Sequence, residues 1–347
     1  MKKIITLLIL TLSTFTFSET FYHTPHGSKY HRASCRYGVD YKNSNPISLE
    51  RAISIGLEPC KLCDPPGEVT TSSSSESYNN LSYDNENTSF TTTSIKDKDT
   101  IASFNVLHLG WNNSKNYNML ANVVSQFDLI GLMEVMKEDG LVNLVNALNS
   151  NSNDSWSYHI SNDKVGRSSY KEYYGFIYND EVEFLGSNDF YPDTYDDFER
   201  DPYASSFRFG KFDFTMVLLH SIYGDSKSER EDEADNLDDV YTYYQDLDPN
   251  ENDIIIGGDF NLSARNSSFD LIGVDGLKYA IQPYAKTTIG YTGLSSAYDN
   301  IFYSDYSTEV IGSGVYDFTN NNYKAIRKII SDHLPVYLDV TTIRDDD

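Results

Sequence analysis

Ile256-Gly-Gly-Asp-Phe-Asn-Leu262 and Ile330-Ser-Asp-His-Leu-Pro-Val336 share one build. Each sets a carboxylate with an amide or imidazole just beyond an apolar, β-branched run, the position where a strand ends and a site begins. Asp259, Asn261, Asp332 and His333 are therefore expected to converge. Carboxylate oxygens hold a hard cation, an imidazole moves a proton, and an amide holds a phosphate oxygen. The combination points to metal-assisted hydrolysis of a phosphodiester.

Around these stretches, the 347 residues allow one large domain with an appendage. A hydrophobic fraction of 39% and 28 Tyr supply a buried core and exclude global disorder. The net charge of -25 argues against a protein that grips nucleic acid through a basic surface. A nucleic-acid substrate screened by divalent cations stays compatible with that charge, and so does acidity that only keeps the chain soluble. Met1-Lys2-Lys3 followed by the apolar stretch from Ile4 to Phe17 reads as a secretory signal peptide, residues 1–18. The protein is accordingly expected to be secreted or periplasmic, with no stable membrane association.

Residues 19–66 hold all three cysteines, Cys35, Cys60 and Cys63. His31-x3-Cys35 and Cys60-x2-Cys63 form two close ligand pairs, a spacing that suits a structural Zn²⁺ in a small zinc-ribbon-like module. The competing reading is one disulfide, Cys35 with Cys60 or Cys63, plus a free thiol. Residues 67–97 turn to Ser, Thr, Asn and acidic residues and read as a linker. Residues 98–342 alternate strand and helix patterns, with strands at 101–107, 129–135, 173–178, 205–209, 214–220, 253–256, 300–303 and 336–340. Helices are expected at 117–127, 141–148 and, as one long acidic element, 227–247. The pattern predicts a layered α/β (α+β) domain.

Eight ordered motifs carry a resemblance: Ser-Phe-Asn105, Leu-Met-Glu134-Val, Ser-Tyr-Lys-Glu172-Tyr, Arg200-Asp-Pro, Leu-His220-Ser, Gly-Asp259-Phe-Asn261, Ala-Tyr-Asp299-Asn and Ser-Asp332-His333-Leu-Pro. In this order they resemble the endonuclease/exonuclease/phosphatase superfamily, and within it the deoxyribonuclease I type. The resemblance implies a four-layer sandwich of two mixed β-sheets flanked by helices. It also implies His333 with Asp299 as general base, and His220 with Glu172 as the acid that protonates the leaving 3′ oxygen. Asn105, Glu134, Asp259 and Asp332 would then serve the metal, Mg²⁺ or Mn²⁺ with Ca²⁺ as a third candidate. Asn261 would hold a phosphate oxygen, and Arg167, Tyr170 and Arg200 would contact the substrate backbone or support the site.

Two departures qualify the likeness. Met136 stands where that type commonly has an Arg for the minor groove, and the cysteines that staple the vertebrate enzymes are missing. A separate acidic loop, Asp193, Asp196, Asp197 and Glu199, reads either as a Ca²⁺ loop or as solvated surface. The expected substrate is DNA, with RNA open, and the expected state is a monomer. Two other readings compete: a lipid head-group phosphodiesterase of the sphingomyelinase kind, and a catalytically silent binding or adhesion protein.

Overall fold

Apolar runs such as Ile254-Ile-Ile256 and Val217-Leu-Leu219 have no polar face, so they belong inside a sheet covered on both sides. The computed structural model describes residues 98–111, 114–224, 226–248, 251–304 and 308–345 of a larger unit. In a smaller unit it describes residues 21–23, 29–33, 35, 45–47, 49–54, 57–61, 63 and 65. The units divide as Met1–Ser89 and Phe90–Asp347. The expected signal peptide and linker lie outside the described residues.

The smaller unit contains β1 (Phe21–His23), β2 (Lys29–Arg32), β3 (Asn45–Ile47), α1 (Leu49–Ser54) and β4 (Glu58–Pro59). Its four strands form one sheet in the order β3-β1-β2-β4. Among its described residues, Phe21, Tyr30, Ile47 and Ala52 pack into one hydrophobic cluster.

The larger unit runs β5 (Lys98–Leu109), α2 (Tyr117–Val124), β6 (Leu129–Val135), α3 (Glu138–Asn151), β7 (Ser157–Ile160) and β8 (Tyr173–Tyr178). It continues through β9 (Val182–Phe190), β10 (Tyr203–Phe209), β11 (Phe212–His220), α4 (Lys227–Asp235), α5 (Leu237–Leu247) and β12 (Ile254–Asp259). It closes with α6 (Asp270–Val274), β13 (Leu277–Tyr279), β14 (Asp299–Ser304), β15 (Val310–Val315), α7 (Tyr323–Ile329) and β16 (Val336–Thr341).

Two six-stranded mixed sheets result, β13-β14-β12-β11-β10-β9 and β15-β16-β5-β6-β8-β7. Residues from both, among them Ile101, Met133, Phe176, Phe207, Met216 and Ile301, share one core between the sheets. Glycines on the inner faces set how close the sheets come: a Cβ on Gly131 would meet Met216 Cε at 2.9 Å, and one on Gly257 would meet Ser103 Cβ at 2.9 Å. The outer face of one sheet is covered by α2, α3 and α7, and that of the other by α4, α5 and α6. The expected four-layer sandwich is the observed architecture.

One expected element differs. The segment read as a single helix from 227 to 247 is two helices, broken at Asn236, whose N–H bonds to the carbonyl of Glu233. The first half is almost wholly charged and buries only Glu233 and Ala234, whereas the second buries Leu237, Val240 and Tyr244. The break lets each half follow its own face.

Candidate active site

Strand register creates the centre of the site. In neighbouring strands His220 pairs with Asp259 and Asp259 with Asp299, so three titratable side chains stand in a row across β11, β12 and β14. The other sheet contributes Asn105 from β5 and Glu134 from β6, both at irregularities in the β5–β6 and β6–β8 ladders. Bulges re-aim side chains in this way. Leu107, His108, Glu134 and Asn261 all have positive φ, between 47° and 58°, and all four line one cleft. Such backbone is costly for non-glycine residues and persists where the surroundings impose it.

The cleft is about 740 Å³ and is also lined by Tyr170, Arg200, His220, Asp259, Asp332 and His333. Two imidazole–carboxylate pairs converge in it. His333 Nδ1 lies 2.9 Å from Asp299 Oδ2, and His220 Nδ1 lies 2.7 Å from Glu172 Oε1. Their Nε2 atoms lie 3.5 Å and 3.8 Å from the same oxygen, Asp259 Oδ2. Each histidine therefore has one nitrogen fixed by a carboxylate and the other directed to a common centre.

The charges follow from this packing. Burial pushes the His220 imidazolium down, but Glu172 more than reverses it and its pKa ends above the ordinary value. For Glu172, burial raises the carboxyl, and His220 with Arg200 brings it below the usual carboxylate range. His333 is held well above its ordinary value because Asp299 and then Asp259 override burial. Asp299 is pushed up to about 6 by burial, against the pull of His333. Burial likewise raises Asp259, but the two histidines outweigh it and leave the carboxyl low.

Glu134 accepts from Asn105 Nδ2 at 3.1 Å, His108 N at 3.0 Å and Tyr170 OH at 3.2 Å. Its own backbone N–H donates to Glu172 Oε1 at 3.2 Å, joining the carboxylate site to the His220 pair. Asn105 Nδ2 also donates to Asp259 Oδ2 at 3.1 Å, while its Oδ1 accepts from Leu107 N at 3.0 Å. Two carboxylates need donors and one N–H needs an acceptor, so Asn105 faces the carboxylates with nitrogen rather than oxygen. Asp332 lines the cleft and pairs with Arg327 at 3.2 Å. Oxygen donors dominate this set, which fits a hard divalent cation. Within the cleft, Asp259, Asp299 and His333 each offer a ligand atom within 4.8 Å of the other two.

The remaining expected residues divide. Arg200 is buried, its Nε 3.2 Å from Glu172 Oε2 in a charge contact without hydrogen-bond alignment, and its Nη1 bonds the His220 carbonyl at 3.2 Å. Asn261 donates to the Ser221 carbonyl at 3.0 Å, leaving its second amide hydrogen for the cleft it lines. Arg167 turns away: its Nε pairs with Asp196 at 2.9 Å in the acidic loop, and it does not line the cleft. Met136 is buried, and no cation projects from that position.

Sequence reasoning missed His108, Lys115 and the positioning role of Ser331. Ser331 Oγ donates to the Asn105 carbonyl at 2.6 Å and accepts from His333 N at 3.1 Å. Lys115 Nζ donates to the carbonyls of Val106, Leu107 and Ile330 at 2.7, 2.6 and 2.5 Å. Both tie the turn after Asn105 to the turn carrying Asp332 and His333. Ser331 belongs to the Ser-Asp-His-Leu-Pro motif and was findable there; Lys115 sits in a polar stretch that carries no such signal.

A sandwich with this paired-histidine cleft defines a class. A model of the Endonuclease/Exonuclease/phosphatase family matches residues 102–333, and the chain belongs to that family of hydrolases acting on phosphodiester bonds. The chain is similar to a deoxyribonuclease of Thioalkalivibrio sp., 30% identical over 259 residues, covering 69% of this chain and 70% of that protein. It is also 30% identical to human deoxyribonuclease-1 over 267 residues, 68% of this chain and 90% of that one. Among solved structures, an endonuclease/exonuclease/phosphatase family protein from Bacteroides thetaiotaomicron shares the fold, with a TM-score of 0.51 and 21% identity, covering 71% of this chain and 98% of that one.

Proposed function

We propose that this chain is an exported, divalent-metal-dependent endonuclease that hydrolyses DNA with little sequence preference, leaving 5′-phosphate and 3′-hydroxyl ends. The observation that carries the reading is the convergence of the His333–Asp299 and His220–Glu172 pairs on Asp259 Oδ2. In-line displacement at phosphorus needs a base for the attacking water and an acid for the departing oxygen. His333 takes the water proton. His220, whose pKa Glu172 raises against burial, delivers one to the 3′ oxygen. Mg²⁺ or Mn²⁺ held by Glu134 and Asp259, with Asp332 beside them, would stabilise charge on the phosphate and weaken the hold of Asp259 on the His333 proton.

DNA as substrate rests on the deoxyribonuclease relatives and on Asn261, Tyr170 and Arg200, groups that bind phosphate and sugar without reading bases. With Met136 buried, no side chain there enters a minor groove, which favours weak, sequence-independent contact. Export rests on the charged start and apolar stretch of residues 1–18. No helix among the described residues is long and apolar enough to cross a membrane.

The test is cleavage of supercoiled plasmid with Mg²⁺, Mn²⁺ or Ca²⁺, alongside His333→Ala and His220→Ala. Nicks bearing 5′-phosphates, abolished in EDTA and in both variants, are expected. Intact plasmid under every ion, or release of phosphocholine from sphingomyelin vesicles instead, refutes the proposal.

A further inference from the structure

We propose that His31, Cys35, Cys60 and Cys63 form a structural Zn²⁺ site on which the fold of the smaller unit depends. The catalytic reading makes no use of these residues. One ligand atom from each lies within 4.8 Å of all the others. Cys35 Sγ is 3.6 Å from His31 Nδ1. Zn–S and Zn–N bonds of about 2.3 and 2.0 Å at tetrahedral angles place sulfur about 3.5 Å from nitrogen. The observed separation is close to the edge of that tetrahedron.

The backbone builds the site from two directions. His31 stands on β2, and Cys35 is held by a turn in which its N–H bonds the Arg32 carbonyl at 3.0 Å. Cys60 follows β4, which pairs with β2, and its N–H bonds the Tyr30 carbonyl at 3.1 Å. The Arg32 N–H lies 3.4 Å from Cys63 Sγ, a donor suited to a thiolate rather than a thiol. Arg32 Nε donates to the Cys63 carbonyl at 3.2 Å, which sets a guanidinium beside a centre that three thiolates and one neutral imidazole would leave with net charge near −1.

Energetics require such a staple. Among the described residues, the hydrophobic core of the unit is Phe21, Tyr30 and Ile47, on strands of three to four residues, with Ala52 from α1. A core of that size does not offset chain entropy by itself. No disulfide joins the three cysteines, and any such bond would consume two of the four converging ligands. Zn²⁺ binding deprotonates the thiols and releases those protons to solvent, so metal affinity becomes folding free energy. A borderline-soft d¹⁰ ion suits this donor set, whereas the oxygen-rich cleft suits a hard one.

The experiment measures metal content of the full chain, purified anaerobically without reductant and dialysed against metal-free buffer. One zinc per chain is expected, released stoichiometrically by a mercurial that blocks thiols. Exchange with Co²⁺ should give the visible absorption of a tetrahedral thiolate site. Cys35→Ala and Cys60→Ala should weaken zinc retention by more than about tenfold, while His31→Cys retains the ion. His333→Ala should leave zinc content unchanged, which separates this site from the cleft. A single titratable thiol per chain in denaturant and chelator would establish the disulfide and overturn the proposal. So would zinc content indifferent to both alanine variants. Neither readout depends on nuclease activity, so this proposal and the catalytic one fail separately.

Discussion

Lys115→Met tests whether the cleft is held together by a buried ammonium. Lys115 Nζ donates to three backbone carbonyls, on Val106, Leu107 and Ile330. Burial lowers its pKa from 10.5 to about 8, against the opposing influence of Glu134 and Asp332. That difference corresponds to a ceiling of about 3.4 kcal/mol, reduced to the extent that water reaches the partly exposed side chain. The unfolded chain keeps the proton up to about pH 10.5 and the folded chain releases it near pH 8, so the unfolded state binds more protons in between. The contribution of Lys115 to stability is therefore fully present above pH 10.5 and is lost as pH falls through 8. At neutral pH the variant forgoes three charge-assisted hydrogen bonds but recovers the desolvation cost, two opposing quantities of similar size. The pH dependence is the cleaner signal. Urea denaturation in EDTA should show the wild type gaining on Lys115→Met by up to about 2.5 kcal/mol between pH 7 and 10. The many tyrosines titrate in both proteins and cancel in the difference. Parallel stability curves over that range would refute the enclosure of this ammonium. In DNA cleavage the variant should lower kcat by about tenfold or more with little change in KM, because the hydrogen bonds made by Lys115 position Asn105 and His333 rather than substrate.

Three further outcomes follow from the same geometry. Glu172→Gln removes the partner that raises the His220 pKa against burial, so cleavage should fall by about 10²–10⁴ at neutral pH and partly recover on acidification; a pH–rate profile of unchanged shape would contradict the acid role. Glu134→Gln should weaken Mg²⁺ or Mn²⁺ binding, measured by calorimetry, by about tenfold or more while thermal stability stays near wild type; equal affinity would remove Glu134 from the metal site. Ser331→Ala breaks the 2.6 Å link to the Asn105 carbonyl and should cost about 1–3 kcal/mol in unfolding free energy together with a lower kcat. An effect on stability alone would show that this hydroxyl does not position His333.

What the sequence made legible was chemistry at strand ends. Asp259, Asn261, Asp332 and His333 could be read because an apolar run locates the end of a strand and the polar residues beyond it stand out. Elements without that contrast were missed. β9 alternates in burial at a sheet edge, β15 carries two glycines in six residues, and α7 fully buries only Ile326. Asn236 gave no sign of breaking a helix, because the break answers to which residues find a core and not to local propensity. Glu134 shows the same limit inside the site. Its identity and place after Leu129–Met133 were readable, but its φ of 58° was not, since no glycine marks the turn and the conformation is imposed by the ladder on either side. The deeper limit is adjacency. His220, Asp259 and Asp299 become neighbours only because β12 lies between β11 and β14, parallel to one and antiparallel to the other. A different strand order would have kept each side chain's chemistry and dissolved the row. The fold's contribution to this site is therefore the register, which turns residues spaced 39 and 40 positions apart in the chain into a proton-transfer centre sharing one carboxylate oxygen.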